Sequence, residues 1–342
     1  MAVIKDVAKL ANVSTGTVSK YLNNPENLRS DTRSRVKQAI SELAYKPSPL
    51  ARSMRTKKTY TIAVVAPDIS NPFYGEIYNH IRVSLMQKGY TPILYTTEDN
   101  MDILREYLSG SSIKRLDGLI LCYVEEDETI EGFIEEIQSQ VPIVLLSWDI
   151  SNIKFNSVVI DVSEGIYKAT EHLISLGHKN IAYIGGPENN RITREKTNGF
   201  KKAMKNAGLE VKDNYVSFGN DTLQAGYQAA RKFTMQAGVM PTAIVAEDDF
   251  LAIGGLKYLL QNGIKVPDDI AVTGFDDIML SRMYEPSLST ISLPKEQIGR
   301  EGVKLLMSRI DKPNSKNKQI ILKTELIIRN STDKNIPVEF EF

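Results

Sequence analysis

Residues 4–24 read IKDVAKLANVSTGTVSKYLNN. Apolar side chains recur at spacings of three and four in the first half of this stretch, which predicts a short helix. Asn12-Val13 then predicts a tight turn, and Ser14 is a favourable N-cap for a second short helix over 15–22. The stretch therefore predicts two short helices joined by a tight turn.

A third helix is predicted to begin at Ser30, after Asn23-Asn24-Pro25 ends the second one. Its apolar residues share one face and comprise Val36, Ala39, Ile40 and Leu43. Two short helices joined by a turn, with a third helix that buries their apolar faces, form the helix-turn-helix arrangement. In this arrangement the second helix enters the major groove of double-stranded DNA.

The second predicted helix carries polar side chains of the kinds that contact DNA. The residues expected to face base edges are Thr15, Gly16, Thr17 and Lys20. Threonine can hydrogen-bond a base or touch a thymine methyl group, and lysine suits the acceptors of guanine. The residues expected to contact phosphates are Ser14, Ser19, Asn23 and Thr32. The simpler interpretation is a small solvated helical cap with ordinary Ser and Thr content.

The charge distribution separates this region from the rest of the chain. The 342 residues carry 42 basic and 42 acidic side chains, so the formal net charge is zero. Residues 1–60 hold seven Lys and five Arg against four acidic residues, a net charge of +8, and the remainder therefore carries −8. A basic head on an acidic body indicates a polyanionic partner for the head.

Residues 46–59 read KPSPLARSMRTKKT and join the head to the body. The two prolines end the third helix, and the residues after them predict a single basic helical turn with one large apolar side chain. Such a turn can wedge into a minor groove and kink the duplex. Its candidate DNA contacts are Ala51, Arg52, Met54 and Arg55. The simpler interpretation of this segment is a charged linker.

The composition, 42% hydrophobic and 25% charged residues, is typical of a soluble globular protein. No run approaches the ~18 apolar residues of a membrane span, and the amino terminus lacks the apolar run of a signal peptide. We therefore expect a cytoplasmic protein without a membrane partner. The single cysteine, Cys122, excludes an internal disulfide, and the three scattered histidines do not suggest a metal site.

From Tyr60 onward, short apolar runs alternate with helical patterns, which predicts parallel sheets covered on both faces. Nine strands are predicted between Thr61 and Thr273, and the last strands lie near 320–328. These are too many for one open sheet, so we expect two similar lobes. The predicted fold class is an all-α helix-turn-helix head followed by an α/β body of two parallel-sheet lobes.

The stretch at 4–24, followed by YKPSPLARSMRTKKT at 45–59 and a strand, resembles the head and hinge of the LacI/GalR family of bacterial transcription regulators. Within the family, the head is especially similar to the purine-repressor type. The resemblance covers the whole chain and implies a periplasmic-binding-protein-like body and a homodimer on a near-palindromic DNA operator. It also implies that paired hinge helices insert an apolar side chain into the operator. The family usually has Leu at that position, where this chain has Met54.

The resemblance also implies where the domains begin and end. The DNA-binding domain would comprise residues 1–46 and the hinge residues 47–59. The amino-terminal lobe would comprise residues 60–161 with 292–319, and the carboxyl-terminal lobe residues 162–291 with 320–342.

In open parallel sheets, ligands bind at the carboxyl ends of the strands. The candidate effector residues, taken from those ends and from the positions that the family resemblance implies, are Phe73, Tyr74, Trp148, Asn190, Arg194, Lys196, Asp221, Asp248 and Asp276. Simpler interpretations exist for several of them. Phe73 could be a helix-start staple, Trp148 could pack between the lobes, and Asp276 could cap a helix.

Several of these positions depart from the family pattern. Lys196 stands where Arg is usual and lacks the fork that grips vicinal hydroxyls or a carboxylate. Asp221 replaces a frequent aromatic residue, Asp248 a frequent Asn or small residue, and Leu293 a frequent Gln. Three carboxylates near one or two cations disfavour an anionic effector and favour a sugar, a polyol or an amine. The alternative is control by a protein partner of the phosphocarrier type.

Function classes other than a regulator find little support in the sequence. No nucleophile and base are apparent, and Gly185-Gly186-Pro187 lacks the ending of a phosphate-binding loop, so we expect neither an enzyme nor a cofactor. A solute-binding protein remains a distant alternative because of the two-lobed body. The predicted function is a sequence-specific DNA-binding transcriptional regulator, a repressor, that a sugar-like small molecule bound between the lobes controls allosterically.

Overall fold

The computed structural model describes residues 2–45, 58–98, 100–109, 113–123, 128–147, 154–236 and 239–337. The chain forms two compact units, Met1–Tyr60 and Thr61–Phe342. Five predicted site residues lie outside the described residues, namely Ala51, Arg52, Met54, Arg55 and Trp148.

Within residues 2–45, the head consists of three α-helices and a short 3-10 helix. They are α1 (Ile4–Leu10), α2 (Thr15–Asn23), the 3-10 helix Pro25–Asn27, and α3 (Ser30–Glu42). The turn between α1 and α2 contains Asn12 in the left-handed region, with φ 51°. Ser14 caps α2, because its hydroxyl oxygen accepts a hydrogen bond from the Thr17 amide at 3.1 Å. The predicted turn, N-cap and start of the third helix are therefore confirmed.

The apolar faces of these helices form one small core. Its buried members are Val7, Ala8, Ala11, Val18, Val36 and Ala39, and Leu22 packs against them. Burial of these side chains supplies the main stabilising term for a unit of this size. Because Val18 and Leu22 turn inward, the opposite face of α2 is left to solvent.

The first lobe of the body is a six-stranded sheet in which every pairing is parallel, in the order β11-β5-β4-β3-β1-β2. The strands are β1 (Thr61–Ala66), β2 (Thr91–Thr96), β3 (Gly118–Cys122), β4 (Ile143–Ser147), β5 (Asn156–Ile160) and β11 (Gln319–Leu322). Among the described residues, the helices of this lobe are α4 (Pro72–Gln87), α5 (Met101–Tyr107), α6 (Glu128–Gln138) and α12 (Lys295–Asp311).

The second lobe repeats the plan in a six-stranded sheet of order β12-β10-β9-β8-β6-β7, with only β12 antiparallel to its neighbour. Its strands are β6 (Ile181–Gly185), β7 (Val216–Phe218), β8 (Ala243–Ala246), β9 (Ala271–Asp276), β10 (Ser289–Ser292) and β12 (Glu325–Ile327). Its helices are α7 (Val162–Ser175), α8 (Arg191–Asn206), the 3-10 helix Asp213–Tyr215, α9 (Leu223–Met235), α10 (Asp249–Gln261) and α11 (Met279–Met283). The predicted head and two-lobed body are thus confirmed.

The chain crosses between the lobes after β5, after β10 and after β11. The last crossing differs from the predicted boundary at 319/320. Ile320 pairs with Val158 of β5, so β11 completes the first sheet, and the chain enters the second sheet only after Leu322. Without β11, the β5 edge of the first sheet would have no neighbouring strand, and the apolar run 320–322 pairs with that edge. The crossing therefore comes later than predicted.

Close backbone contact holds α9 against α10 in the second lobe. A Cβ atom added to Gly226 would lie 2.0 Å from the Leu251 carbonyl oxygen, and one added to Gly254 would lie 2.0 Å from the Leu223 carbonyl oxygen. Only glycine permits this approach. The contact fixes the amino-terminal ends of both helices, next to the segments that carry Asp221 and Asp248.

Candidate functional site

The solvent-facing side of α2 carries the residues predicted to read bases. Thr15, Gly16 and Lys20 are exposed, whereas Thr17 is half-buried, with its hydroxyl oxygen 3.0 Å from that of Ser14. Ser14 is exposed as well as capping the helix. An exposed polar face at the amino-terminal end of the second helix is what entry into a major groove requires.

The residues predicted to contact phosphates flank this face. Ser19 is half-buried, and Asn23 is the last residue of α2. Thr32 lies in the first turn of α3, where its hydroxyl donates to the Asp31 carboxylate at 3.4 Å.

A cavity of about 610 Å³ lies between the two lobes of the body and is lined by residues of both. The predicted effector residues that line it are Phe73, Tyr74, Asn190, Lys196, Asp221, Asp248 and Asp276. Nearly all of these residues follow the carboxyl ends of parallel strands, as the rule for open sheets requires. Tyr123, Glu247 and Phe250 also line the cavity and were missed, although Tyr123 and Glu247 each directly follow a strand and the same rule could have found them.

The first-lobe wall of the cavity is aromatic. The Asn71 side chain caps α4 by accepting from the Phe73 amide at 3.0 Å, which fixes Phe73 at the start of the helix. The Phe73 ring lies 5.2 Å from that of Tyr74 and 5.4 Å from that of Tyr123, between ring centroids. Phe73 is buried, packs against both tyrosines and contributes to the lining of the cavity.

The second-lobe wall is built around Glu247, which directly follows β8. Its carboxylate accepts hydrogen bonds from the Gly186 amide at 3.0 Å, the Thr193 hydroxyl at 2.8 Å and the Tyr183 hydroxyl at 3.2 Å. All of these donors come from β6 or the segment after it. Glu247 therefore joins the ends of β6 and β8, and both of its carboxylate oxygens are occupied.

Lys196 is buried next to the backbone of Glu247. Its ammonium group donates to the Glu247 backbone carbonyl at 2.8 Å and lies 4.3 Å from the centroid of the Phe275 ring. A cation over an aromatic face is attracted by the ring quadrupole. The protein's own groups thus hold the Lys196 charge in place.

Asp248 is buried, and one of its oxygens caps α10 by accepting from the Leu251 amide at 2.7 Å. Burial raises the pKa of Asp248 to about 6, although the cap and the charge of Lys196 act in the opposite direction. Its other oxygen has no partner among the described residues.

Asp276 ends β9 and is only 7% exposed. Burial raises its pKa well above the usual carboxyl value, although Lys196 and Lys295 attract the charge. Within the described part of the chain its carboxylate accepts no hydrogen bond, and α11 has no side-chain cap, so Asp276 is not a helix cap. Its φ of 111° is a strained conformation for a residue with a side chain.

Arg194 was predicted to line the cleft, and this prediction is wrong. Successive side chains on an α-helix are about 100° apart, so Ile192 and Lys196 share one face of α8. Those two residues line the cavity, whereas Arg194 is exposed on the other side and donates to the Asn189 carbonyl.

A lysine ties the two lobes together behind the cleft. The ammonium group of Lys295, in α12, donates to Glu76 of α4 and to the Asp277 backbone carbonyl after β9, at 2.7 Å in each case. The Asp277 carboxylate is held by Arg329 at 2.6 Å, and despite burial this cation lowers the pKa of Asp277. The backbone that carries Asp276 is therefore anchored directly behind the cavity.

The side chains of Cys122, His172 and His178 have surroundings typical of structural residues and not of reactive ones. Cys122 is buried, and burial raises the pKa of its thiol. His172 and His178 are hydrogen-bonded to the hydroxyls of Thr332 and Thr242, and partial burial lowers the pKa of both. In the part of the chain that the structure describes, no helix has the length and hydropathy needed to cross a bilayer.

Two family profiles match the chain. Residues 3–48 match the family described as bacterial regulatory proteins, lacI family, and residues 170–332 match the periplasmic binding protein-like domain. The HTH-type transcriptional repressor PurR of Photobacterium profundum is 34% identical over 331 residues, which are 97% of this chain and 98% of that protein. The PurR of Salmonella arizonae is 35% identical over 332 residues, 97% of each chain.

Solved structures agree with these matches. The lac repressor dimer bound to operator and the anti-inducer ONPF superposes with a TM-score of 0.85 at 25% identity, covering 97% of this chain and 99% of that one. A complex of the transcriptional regulator CelR with cellobiose gives a TM-score of 0.72 at 30% identity, covering 97% of this chain and all of that one. With its helix-turn-helix head and two-lobed body, the chain belongs to the lacI family of bacterial regulatory proteins.

Proposed function

We propose that the protein is a cytoplasmic transcriptional repressor that binds a near-palindromic operator as a homodimer. The observation that carries this proposal is the exposed polar face of α2, with Thr15, Gly16 and Lys20 on a head of net charge +8. The family relatives are named as repressors, which supports a regulator over an enzyme or a solute-binding protein.

The proposed DNA contacts divide into two sets. Thr15, Gly16, Thr17 and Lys20 read bases, while Ser14, Ser19, Asn23 and Thr32 position the head on phosphates. Ala51, Arg52, Met54 and Arg55 of the hinge complete the proposed interface.

The proposed regulatory ligand is a sugar-like small molecule in the cavity between the lobes. Both lobes contribute to the lining, so a ligand there contacts both and changes the free energy of lobe closure. The cavity is large enough for a sugar and is rich in polar groups, which favours a small molecule over a phosphocarrier-type protein as the regulator. The candidate ligand contacts are Phe73, Tyr74, Asn190, Lys196, Asp221, Asp248 and Asp276, and Trp148 remains a candidate.

DNA selection from a random library tests the operator-binding part of the proposal. The intact chain should enrich a near-palindromic sequence and bind it far more tightly than unrelated DNA, while a chain lacking residues 1–58 should enrich none. Enrichment by the truncated chain, or none by the intact one, would contradict the assignment of DNA binding to the head.

Calorimetry tests the ligand part. We expect a neutral or amino-substituted sugar or polyol to bind and to change operator affinity by about 5–150-fold, the usual range of allosteric coupling. Tight binding of a sugar phosphate, without binding of any unphosphorylated sugar, would contradict it.

A further inference from the structure

The lining of the cavity is unbalanced in charge. Its carboxylates belong to Asp68, Asp221, Glu247, Asp248 and Asp276, whereas Lys196 is the one cationic side chain among the described lining residues. Two of these carboxylates already serve the protein: Asp68 accepts from the amide and hydroxyl of Ser70, and both oxygens of Glu247 are occupied. Lys196 is also engaged, by a backbone carbonyl and an aromatic face.

Asp248 and Asp276 differ from the occupied carboxylates. Each is more than nine-tenths buried and lines the cavity. The second oxygen of Asp248 and the whole carboxylate of Asp276 have no hydrogen-bond donor among the described residues. A carboxylate that is mostly buried and lines a cavity without a protein donor is available to a ligand that supplies the donor or the charge.

Two further observations indicate what completes this pair. Asp276 is held at a φ of 111°, a conformation that costs free energy and is typical of ligand-binding positions. On the first-lobe side of the cavity, the rings of Tyr74 and Tyr123 lie with centroids 6.1 Å apart and line the same space. Carboxylates in combination with aromatic faces are the usual surroundings of a bound organic cation.

We propose that the ligand of this cavity carries a protonated amine, which the Asp248 and Asp276 carboxylates bind, so that the ligand class is an amino sugar or amino polyol. This inference rests on the proposed function, because it takes the cavity to be the regulatory site. Lys196 attracts both carboxylates, and a neutral sugar could donate hydroxyl hydrogens to them but would add no second cation. An ammonium group supplies both the donors and the charge.

Matched pairs of probes test the inference by calorimetry and thermal shift on the full-length protein at pH 7. Glucosamine is compared with glucose, and glucamine with sorbitol, since each pair exchanges one amino group for one hydroxyl. Gluconate serves as the anionic probe. We expect at least one amine to bind ten-fold or more tightly than its hydroxyl counterpart and gluconate not to bind.

Variants of the two carboxylates test whether they cause the preference for the amine over the hydroxyl compound. Asp276→Asn and Asp248→Asn keep the shape of the side chain, and asparagine still caps α10 at position 248. Each should reduce the preference for the amine to less than about three-fold. Asp268→Asn removes the same charge from an exposed pair with Lys334 in the same lobe and should retain the full preference.

The outcomes separate this inference from the proposed function. Equal or tighter binding of the hydroxyl compounds, binding of neither amine, or an amine preference that survives Asp276→Asn would overturn the amine assignment. Operator binding by the same protein without any probe is measured in parallel. Its loss would contradict the proposed repressor function instead.

Discussion

The two lobes of the body share one plan but differ in what they bury. Both are six-stranded, largely parallel sheets covered by helices. In the described strands of the first sheet the buried polar residues are neutral, namely Ser147, Asn156 and Ser157, although helix α12 of the same lobe buries Lys295. The second lobe buries the carboxylates of Glu247, Asp248 and Asp276 at the ends of its strands, and its helix α8 buries Lys196 beside them.

This difference shows that two lobes of the same architecture can contribute different kinds of ligand contact. The first lobe presents an aromatic wall whose geometry depends on packing, and the second presents charges whose positions depend on hydrogen bonds. Function therefore resides in the residues at the strand ends and not in the fold that the two lobes share. The second lobe should be more sensitive than the first to the loss of a buried polar group.

The largest effect is expected from Glu247→Ala. This change leaves the buried donors of Tyr183, Gly186 and Thr193 without their acceptor, and should lower the free energy of unfolding by about 3–5 kcal/mol. Chemical denaturation measures it. The first-lobe control is Ser157→Ala, because the Ser157 hydroxyl is buried without a hydrogen-bond partner in the described structure. That variant should differ from the wild type by less than ~1 kcal/mol, and a cost as large as that of Glu247→Ala would remove the contrast between the lobes.

Asp276→Asn should increase stability, and more so at higher pH. Because the pKa of Asp276 is raised in the folded state, its contribution to stability is complete below the unfolded value of 3.8 and is lost as the pH rises towards the folded value. Asparagine does not ionise and escapes this loss. The gain should be roughly 1–3 kcal/mol at pH 8 and smaller at pH 5, by chemical denaturation at both values. A variant that is less stable than the wild type at pH 8 would mean that the ionised Asp276 stabilises the fold.

The head offers a third arrangement, a cation on an exposed face. Lys20→Ala should cost about 1–3 kcal/mol of operator-binding free energy and relax base preference at one position of each half-site. Fluorescence anisotropy on operators substituted at single positions measures both. Lys37→Ala removes the same charge from an exposed site on α3 and should leave base preference unchanged. A loss that is uniform across all DNA sequences would make Lys20 a phosphate contact.

The smallest effect is expected from Arg194→Ala. Because this side chain is exposed and faces away from the cavity, its loss should change stability by less than ~0.5 kcal/mol and ligand affinity by less than about three-fold. Calorimetry with the tightest-binding probe measures the ligand affinity of this variant. The comparison variant is Lys196→Met, on the cavity face of the same helix. A larger loss of ligand affinity for Arg194→Ala than for Lys196→Met would contradict the described orientation of α8, because it would place Arg194 and not Lys196 at the cavity.

Features set by local chemistry could be predicted from the sequence. Ser14 is a good N-cap wherever a short helix follows it, and the apolar stripe of α3 fixes which face is buried. The strand-end rule likewise brought Phe73, Asp221, Asp248 and Asp276 to one cavity without any knowledge of their distances.

Features set by distant contacts were harder to predict. Glu247 is held by residues 54 to 64 positions earlier in the chain, and a single acidic residue after an apolar strand does not reveal them. Arg194 was placed in the cleft because it lies near strand β6, but the phase of α8 turns it away. The crossing after β11 depended on which sheet had an uncovered edge, which only the assembled body determines.

The order of the strands also affects how the protein is completed during synthesis. The first sheet lacks its edge strand until Leu322 is made, and the second lacks one until Ile327, so neither lobe is whole before nearly the entire chain has been translated. The head needs only the residues up to Tyr45 to close its core. Domains fold in order of their emergence from the ribosome, so a nascent chain carries a finished DNA-binding unit long before the cavity between the lobes exists.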